Sequence, residues 1–128
     1  MRNNREYQIC KDIAIYMRLQ YPNVIFHFDL AGLNLSRAQA GMMKAIQGGR
    51  GWPDLFIAQQ SFQGEYKGLF IEVKPENTKL LNKSNSSYKT EHLTDQAMFI
   101  DRLQKKGYKA EFACGFDACK RLIDDYLK

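Results

Sequence analysis

The chain has 128 residues, enough for one domain with a substantial core, and its 19 basic and 14 acidic residues give a net charge of +5. Its hydrophobic fraction of 45% is ordinary for a globular protein. No apolar run approaches the length of a membrane span, and the N-terminus lacks the apolar core of a secretory signal, so we expect a cytoplasmic protein. The basic excess suits a polyanionic partner without proving one.

The cysteines argue against a metal-bound or disulfide scaffold. Cys10, Cys114 and Cys119 are odd in number, have no Cys-x-x-Cys spacing, and are accompanied by only two histidines. All three lie in apolar stretches, so we interpret them as buried thiols that pack like small hydrophobic groups.

The first part of the chain predicts a helix over residues 5–20. Ile9, Ile13 and Met17 follow one another at helical spacing, and Glu6 stands one turn earlier on the same stripe. The tripeptide 21–23 ends this helix.

Residues 24–30 then alternate as in a strand. His27 and Asp29 share one face of it. They are placed to border a functional site, but a structural histidine and a turn aspartate are the interpretations that we favour. His92, near the start of a later helix, is a weaker candidate for a phosphate contact.

A short helix and a hairpin come next. Ser36 and Gln39 have the spacing of a capping box, which predicts a helix that ends near Gln47 at a glycine-rich turn. Apolar runs at 54–58 and 68–74, separated by a polar stretch, predict a β-hairpin. The first run has the composition of a strand covered on both faces.

The last third predicts a mobile polar loop over residues 75–92, followed by a helix, a strand and a helix. We expect Thr94 to cap the first of these helices, with Leu93 and Met98 in a hydrophobic staple and Gly107 after its end. A strand over 108–113 and a helix over 117–127 complete one α/β domain with a mixed sheet.

Three charged residues stand at the ends of the two predicted hairpin strands. Glu72 and Lys74 share a face of one strand, and pairing of the hairpin places Asp54 beside Glu72. Charges at the end of apolar strands are costly unless they are paired or bind a cation, and two carboxylates suit a hard cation. The alternative is that Asp54 caps a turn while Glu72 and Lys74 form a solvated pair. For an isolated Glu-x-Lys that alternative is more common, but the whole combination favours a catalytic site.

These residues resemble a known family. The segments 49–58 (GRGWPDLFIA) and 68–74 (GLFIEVK), with Gln96 further on, look like the VRR-NUC branch of the PD-(D/E)xK nucleases. The resemblance runs from Glu6 to the C-terminal helix and is strongest over residues 48–74. It implies a restriction-endonuclease-like αβββαβ core and Mg²⁺-dependent cleavage of DNA, with Mn²⁺ able to substitute. Stand-alone members occur in phages and bacteria, and the small ones are thought to act as homodimers on branched DNA.

The resemblance also implies roles for individual residues. Asp54, Glu72 and the backbone carbonyl of Val73 match the metal ligands, and Lys74 matches the catalytic lysine. Two further matches are Glu6, the acidic residue of the first helix, and Gln96, the glutamine of the family motif. Each of these two is also a polar residue on an otherwise apolar helix stripe, where it must find a partner.

Basic residues flank the predicted site on both sides and are candidates for phosphate contacts. They are Arg37, Lys44, Arg50, Lys79 and Lys83. A solvated basic surface is the alternative for any one of them. We interpret Trp52 as a packing residue rather than a platform for a base.

Three functional hypotheses follow. The leading one is a Mg²⁺-dependent endonuclease that cuts junctions or other branched DNA by metal-assisted hydrolysis. The second is a simpler nicking or single-strand-directed nuclease with the same site. The third is a non-catalytic DNA-binding or replication/repair interaction module of the same fold, against which intact Asp54, Glu72 and Lys74 argue.

Overall fold

The computed structural model describes residues 4–29 and 35–128, and these residues form four helices and four strands. The helices are α1 (Asn4–Gln20), α2 (Arg37–Ile46), α3 (Glu91–Lys105) and α4 (Phe116–Leu127). The strands are β1 (Phe26–Phe28), β2 (Leu55–Ile57), β3 (Leu69–Lys74) and β4 (Lys109–Cys114). No helix in these ranges is long and apolar enough to cross a membrane.

The strands form one mixed sheet in the order β1-β2-β3-β4. The first three pair antiparallel and β4 runs parallel to β3, and α3 lies in the crossover connection that a parallel pair needs. Leu55 lies opposite Ile71 and Ile57 opposite Leu69, which confirms the predicted hairpin. With α2 set aside as an addition, the order is αβββαβ, as predicted, followed by α4.

The two faces of β3 differ in what they bury. Leu69, Ile71 and Val73 are fully buried in the main core, where they pack with α1 and α4. The residues between them point to the opposite face, where Phe70 joins the apolar cluster formed with α3. Glu72 and Lys74 continue that second face toward the end of the strand. The alternation therefore separates an apolar core from a layer that contains buried charge.

The start of α3 differs from the sequence expectation. Thr90, not Thr94, is the N-cap: its backbone is extended and its hydroxyl accepts a hydrogen bond from the Leu93 amide at 3.1 Å. Thr94 lies in the first turn, where its hydroxyl donates to the Thr90 carbonyl. The predicted staple is also wrong, because Leu93 is buried in a helix that starts earlier while Met98 is 62% exposed. Thr90 lies four residues before the expected cap, so the helix begins one turn earlier than predicted and Leu93 falls inside it.

Other boundaries shift modestly. β1 is shorter than the predicted 24–30, and Leu30 lies outside the described residues. β2 is covered only on the core side; on its other face Phe56 borders an open cleft, so the expected double burial is wrong. The capping box of Ser36 and Gln39 is present as predicted, and Gly107 follows α3 with φ +97°.

The polar loop contains local structure that its composition did not predict. Leu81 and Tyr88 form a β-bridge, and the side chain of Asn82 is hydrogen-bonded to Ser84 and Ser87. Tyr88 also packs against Phe112 of β4, with ring centroids 6.0 Å apart. The mobility of this loop stays a prediction.

Candidate active site

The hairpin brings Asp54 and Glu72 together at one end of the sheet. The register of β2 and β3, continued by one residue, sets Asp54 opposite Glu72, and opposed residues share a face. One carboxylate oxygen of Asp54 accepts a hydrogen bond from the Val73 amide at 2.8 Å. This bond fixes the Asp54 side chain across the end of β3, as the sequence predicted.

The environment of Glu72 disfavours its ionised form. Its side chain is almost completely buried, and burial together with the nearby Asp54 carboxylate raises its pKa to about 9, although Lys74 acts in the opposite direction. Lys74 Nζ lies 3.5 Å from Glu72 Oε2, and both side chains are enclosed. The other oxygen, Oε1, is buried and has no hydrogen-bond partner. A buried carboxylate oxygen without a hydrogen-bond partner is costly, and either a proton or a cation would reduce that cost.

Gln96 faces the same layer from α3. It is 5% exposed, and its side-chain oxygen also has no hydrogen-bond partner. The turn before Asp54 packs directly on this part of α3: a Cβ at Gly51, where φ is +86°, would stand 2.9 Å from the Asp95 carbonyl oxygen. Only glycine permits this approach. The glycine-rich turn thus brings Asp54 and the Gln96 region of α3 into one structural unit.

Glu6 lies at the same end of the molecule. It is half-buried in the first turn of α1, whose neighbouring residue Arg5 forms an ion pair with Glu76. Because Glu76 follows β3 by two residues, this pair anchors the start of α1 at the end of the strand that carries Glu72. Glu6 does not, however, complete a cluster of three metal-binding side chains with Asp54 and Glu72. Over residues 4–29 and 35–128 there is no group of three or more His, Cys, Asp or Glu able to hold a metal ion.

The two carboxylates nevertheless fit a divalent cation. Mg²⁺ is commonly held by one or two carboxylates, with water and substrate phosphate oxygens as the remaining ligands. Asp54 and Glu72 supply that donor set, the unpartnered Glu72 oxygen supplies a vacant acceptor, and a cation would allow both groups to ionise side by side. The Val73 carbonyl lies on the same stretch of backbone.

A cleft of about 400 Å³ opens beside Asp54 on the same face of the sheet. Its walls include Trp52, Phe56 and Phe70, and its rim carries His27 and Asp29. His27 of β1 and Asp29, which follows it, therefore border the cleft, as one of the two sequence interpretations allowed. Whether they have more than a structural role stays a prediction. The signal that could have found them was available: in the antiparallel pair His27 lies opposite Phe56, so it shares the face of Asp54.

The candidate DNA-binding residues all lie on the surface. Arg37 and Lys44 belong to α2, Lys79 and Lys83 belong to the polar loop, and all four are exposed. Arg50 is the one with a visible relation to the site, since it lies 3.9 Å from Asp95, next to Gln96. His92 is exposed in the first turn of α3.

Comparison with known proteins finds a similarity of fold. No family model and no curated protein matches the sequence. A solved structure described as a VRR_NUC domain protein superposes with a TM-score of 0.68 at 24% identity, covering 98% of this chain and 90% of that one. The chain has the fold of a VRR-NUC domain. The likeness covers nearly the whole length of both chains, so every element that carries the site lies within it.

Proposed function

We propose that this chain is a metal-dependent DNA endonuclease of the VRR-NUC type, with a phosphodiester bond of DNA as its substrate. The observation that carries the proposal is the arrangement of two facing carboxylates, one buried with a raised pKa and an unpartnered oxygen, beside a buried lysine. A purely structural site would have satisfied these groups. The fold is that of a protein class named for nuclease domains.

The residues divide the chemistry between them. Asp54 and Glu72 would hold the cation, with the Val73 carbonyl as a further ligand. When bound, Mg²⁺ or Mn²⁺ would supply neutralisation of charge on a phosphate oxygen and a water of lowered pKa. Lys74, confined next to Glu72, positions the attacking water or stabilises the negative charge that develops. Gln96 and Glu6 border this centre and orient water or phosphate.

The test is cleavage of a supercoiled plasmid and of a four-way DNA junction, each with Mg²⁺, Mn²⁺ or EDTA. We expect metal-dependent cutting, faster on the junction. Nicking of the plasmid with no preference for the junction would favour the simpler nuclease. Binding of DNA without cleavage by either metal would instead establish a non-catalytic module of the same fold and exclude the proposal.

The preference for branched DNA leads to a second part of the proposal, a homodimer. Resolution of a junction requires two symmetric cuts, and a two-fold dimer supplies two equivalent sites. Helix α2 buries none of its residues, and its Met42 and Ile46, four positions apart on one stripe, are 70% and 80% exposed. Arg37 and Lys44 lie on the opposite side of the helix. One side of α2 is thus suited to a second copy and the other to phosphate.

A matched pair of variants tests the dimer. Ile46→Glu on α2 and Leu19→Glu on α1 alter side chains of equal exposure, 80% each. Light scattering should give a dimer for the wild type and for Leu19→Glu, and a monomer for Ile46→Glu, which should also lose paired cuts on a junction. A monomeric wild type, both free and on a junction, would exclude the dimer and leave the nuclease proposal intact.

A further inference from the structure

The cleft beside Asp54 has the features of a binding site that the cleavage chemistry does not use. Its floor is Phe56 and Phe70, whose rings stack with centroids 4.5 Å apart. The Tyr108 ring is edge-on to the Phe70 ring, with centroids 5.3 Å apart. The Trp52 ring also contacts Phe70, with centroids 6.1 Å apart. Trp52 remains 38% exposed even though it packs on Phe99. Phe70 is buried beneath this layer, so the aromatic surface that solvent reaches is that of Trp52 and half-buried Phe56. An exposed aromatic surface of this kind can receive another flat ring.

The cleft runs from the metal-binding end of the sheet toward its other end. Asp54 is level with Glu72, whereas Tyr108 precedes the residue that pairs with Leu69. The four residue steps from Gly68, level with Tyr108, to Glu72 span about 13 Å along the strand. A nucleotide whose phosphate lies at Asp54 can therefore direct its sugar and base along this floor.

The rim supplies hydrogen-bonding groups to such a ring. His27, Asp29 and Gln47 line one side, and Gln47 Nε2 donates to Asp29 Oδ1 at 3.4 Å. The Asp29 amide donates to the Asp54 carbonyl at 2.8 Å, which holds the rim in register with the active site. An imidazole, a carboxylate and an amide provide both donors and acceptors, as recognition of the edge of a base requires.

We propose that this cleft receives the base of an unpaired nucleotide adjacent to the scissile phosphate. The inference rests on the proposed nuclease function. A base within a duplex is stacked on both sides and cannot reach the floor, whereas a nucleotide in a flap, gap or branch point is free to enter at little cost. The cleft thereby gives the enzyme a preference for DNA with an unpaired nucleotide at the cut site. Its volume lies at the lower end of those that bind small ligands, which suits a single nucleoside.

Trp52 provides a direct reporter, because it is the only tryptophan of the chain. The probes are three DNA hairpins: one with a three-nucleotide single-stranded arm, one with the same arm lacking its bases, and one blunt. Each is titrated with the protein in EDTA at low salt, and binding is followed by anisotropy of a label on the DNA. We expect the arm with bases to quench Trp52 emission, and the abasic arm and the blunt hairpin to bind without quenching.

Two variants distinguish recognition of the base from general DNA binding. His27→Ala/Gln47→Ala should weaken binding of the arm with bases about tenfold, a loss typical of one or two hydrogen bonds, and leave the abasic arm unchanged. Gln63→Ala, an exposed glutamine at the hairpin tip, serves as the control and should change neither. Equal quenching by the abasic arm, or binding of the arm without quenching, would overturn the inference.

Single-turnover cleavage in Mg²⁺ provides the second measurement. The wild type should cut the arm with bases about tenfold faster than the abasic arm, and the double variant should cut both at the slower rate. Equal wild-type rates would overturn the base-binding role while leaving the nuclease intact. Quenching by the arm with no cleavage of any DNA would instead overturn the proposed function and leave a base-binding cleft.

Discussion

Glu72 and Asp124 are two enclosed carboxylates that the fold treats in opposite ways. Asp124, on α4, accepts hydrogen bonds from the hydroxyls of Tyr16 and Tyr21, each at 2.6 Å, and from Lys120 at 2.9 Å. Partial burial works to raise the Asp124 pKa, but these three donors outweigh it and hold the pKa at about 2. Glu72 has only Lys74 within ion-pair distance, and its pKa rises to about 9.

The difference separates a carboxylate that stabilises the fold from one that the fold destabilises. Asp124 links the end of α1 to α4 and has all its partners within the chain. Glu72 is placed at the end of β3 opposite a second carboxylate, and one of its oxygens has no hydrogen-bond partner, which is the property on which the proposed metal site rests. Substitution of Glu72 should therefore change DNA cleavage, whereas substitution of Asp124 should change the free energy of unfolding.

The largest effect should come from the metal ligands. Asp54→Ala or Glu72→Ala removes half of the protein's charge on the cation, so we expect cleavage to fall by at least about three orders of magnitude. Circular dichroism should show that both variants remain folded, because neither residue contributes apolar packing. If either variant cut DNA at the wild-type rate with saturating Mg²⁺, the site would be assigned wrongly.

Lys74 should act on the rate and not on the metal. Lys74→Ala should lower single-turnover cleavage by about two to four orders of magnitude, the range for one electrostatic or proton-transfer group. Calorimetric titration should give a metal affinity close to that of the wild type. Lost metal binding with an unchanged rate at saturating metal would reverse the roles of Lys74 and the carboxylates.

Asp124 should show the opposite behaviour. Asp124→Ala leaves two tyrosine hydroxyls and Lys120 without their common acceptor, and should reduce the free energy of unfolding by about 2 to 3 kcal/mol. Cleavage per folded molecule should not change. Asp125→Ala, an exposed carboxylate on the same helix, is the matched control and should have little effect on urea unfolding. A loss of activity greater than the loss of folded protein in Asp124→Ala would connect this network to the site.

The sequence was sufficient to predict the surroundings of Glu72, because these depend on the alternation of side chains along strands. Because alternate residues of a strand share a face, the sequence placed Glu72 and Lys74 together, and the hairpin set Asp54 opposite Glu72. The proximity of these three residues and the mixed sheet were therefore predicted correctly, while their catalytic roles stay a prediction. The Asp124 network could not be predicted, because Tyr16 and Tyr21 are more than 100 positions away from it and no local pattern links them.

Other errors arose where tertiary packing chose between equivalent local signals. Thr90 and Thr94 are both acceptable caps, and Thr90 is the one that caps the helix, so that Leu93 falls inside it. The cleft depends on which face of β2 stays uncovered, a property of how helices pack and not of the strand itself. The sequence identified Glu6 as a polar residue on the apolar stripe of α1. Its position near the end of β3 could not be predicted, because the Arg5–Glu76 pair that fixes it joins residues 71 positions apart.

The prediction that compares the two carboxylates most directly is the pH dependence of the free energy of unfolding in EDTA. Folded Glu72 keeps its proton up to pH about 9, whereas the unfolded carboxyl releases it near 4.5. Between those values the unfolded state binds fewer protons, so stability should fall as pH rises, by at most about 1.4 kcal/mol per pH unit for one proton. For Asp124 the sign is reversed: its stabilisation is present above pH about 4 and is lost as pH falls toward 2.

Thermal unfolding in EDTA from pH 2 to 9, with two isosteric variants, separates the contributions. Glu72→Gln imitates the protonated carboxyl and should flatten the curve between pH 5 and 9, so that the variant becomes more stable than the wild type at the alkaline end. Asp124→Asn should flatten it only below pH 4. Added Mg²⁺ should stabilise the wild type more as pH rises, because the cation competes with the proton on Glu72, and should stabilise Glu72→Gln much less. Parallel curves for the wild type and Glu72→Gln between pH 5 and 9 would show that Glu72 carries no raised pKa, and the contrast with Asp124 would fail.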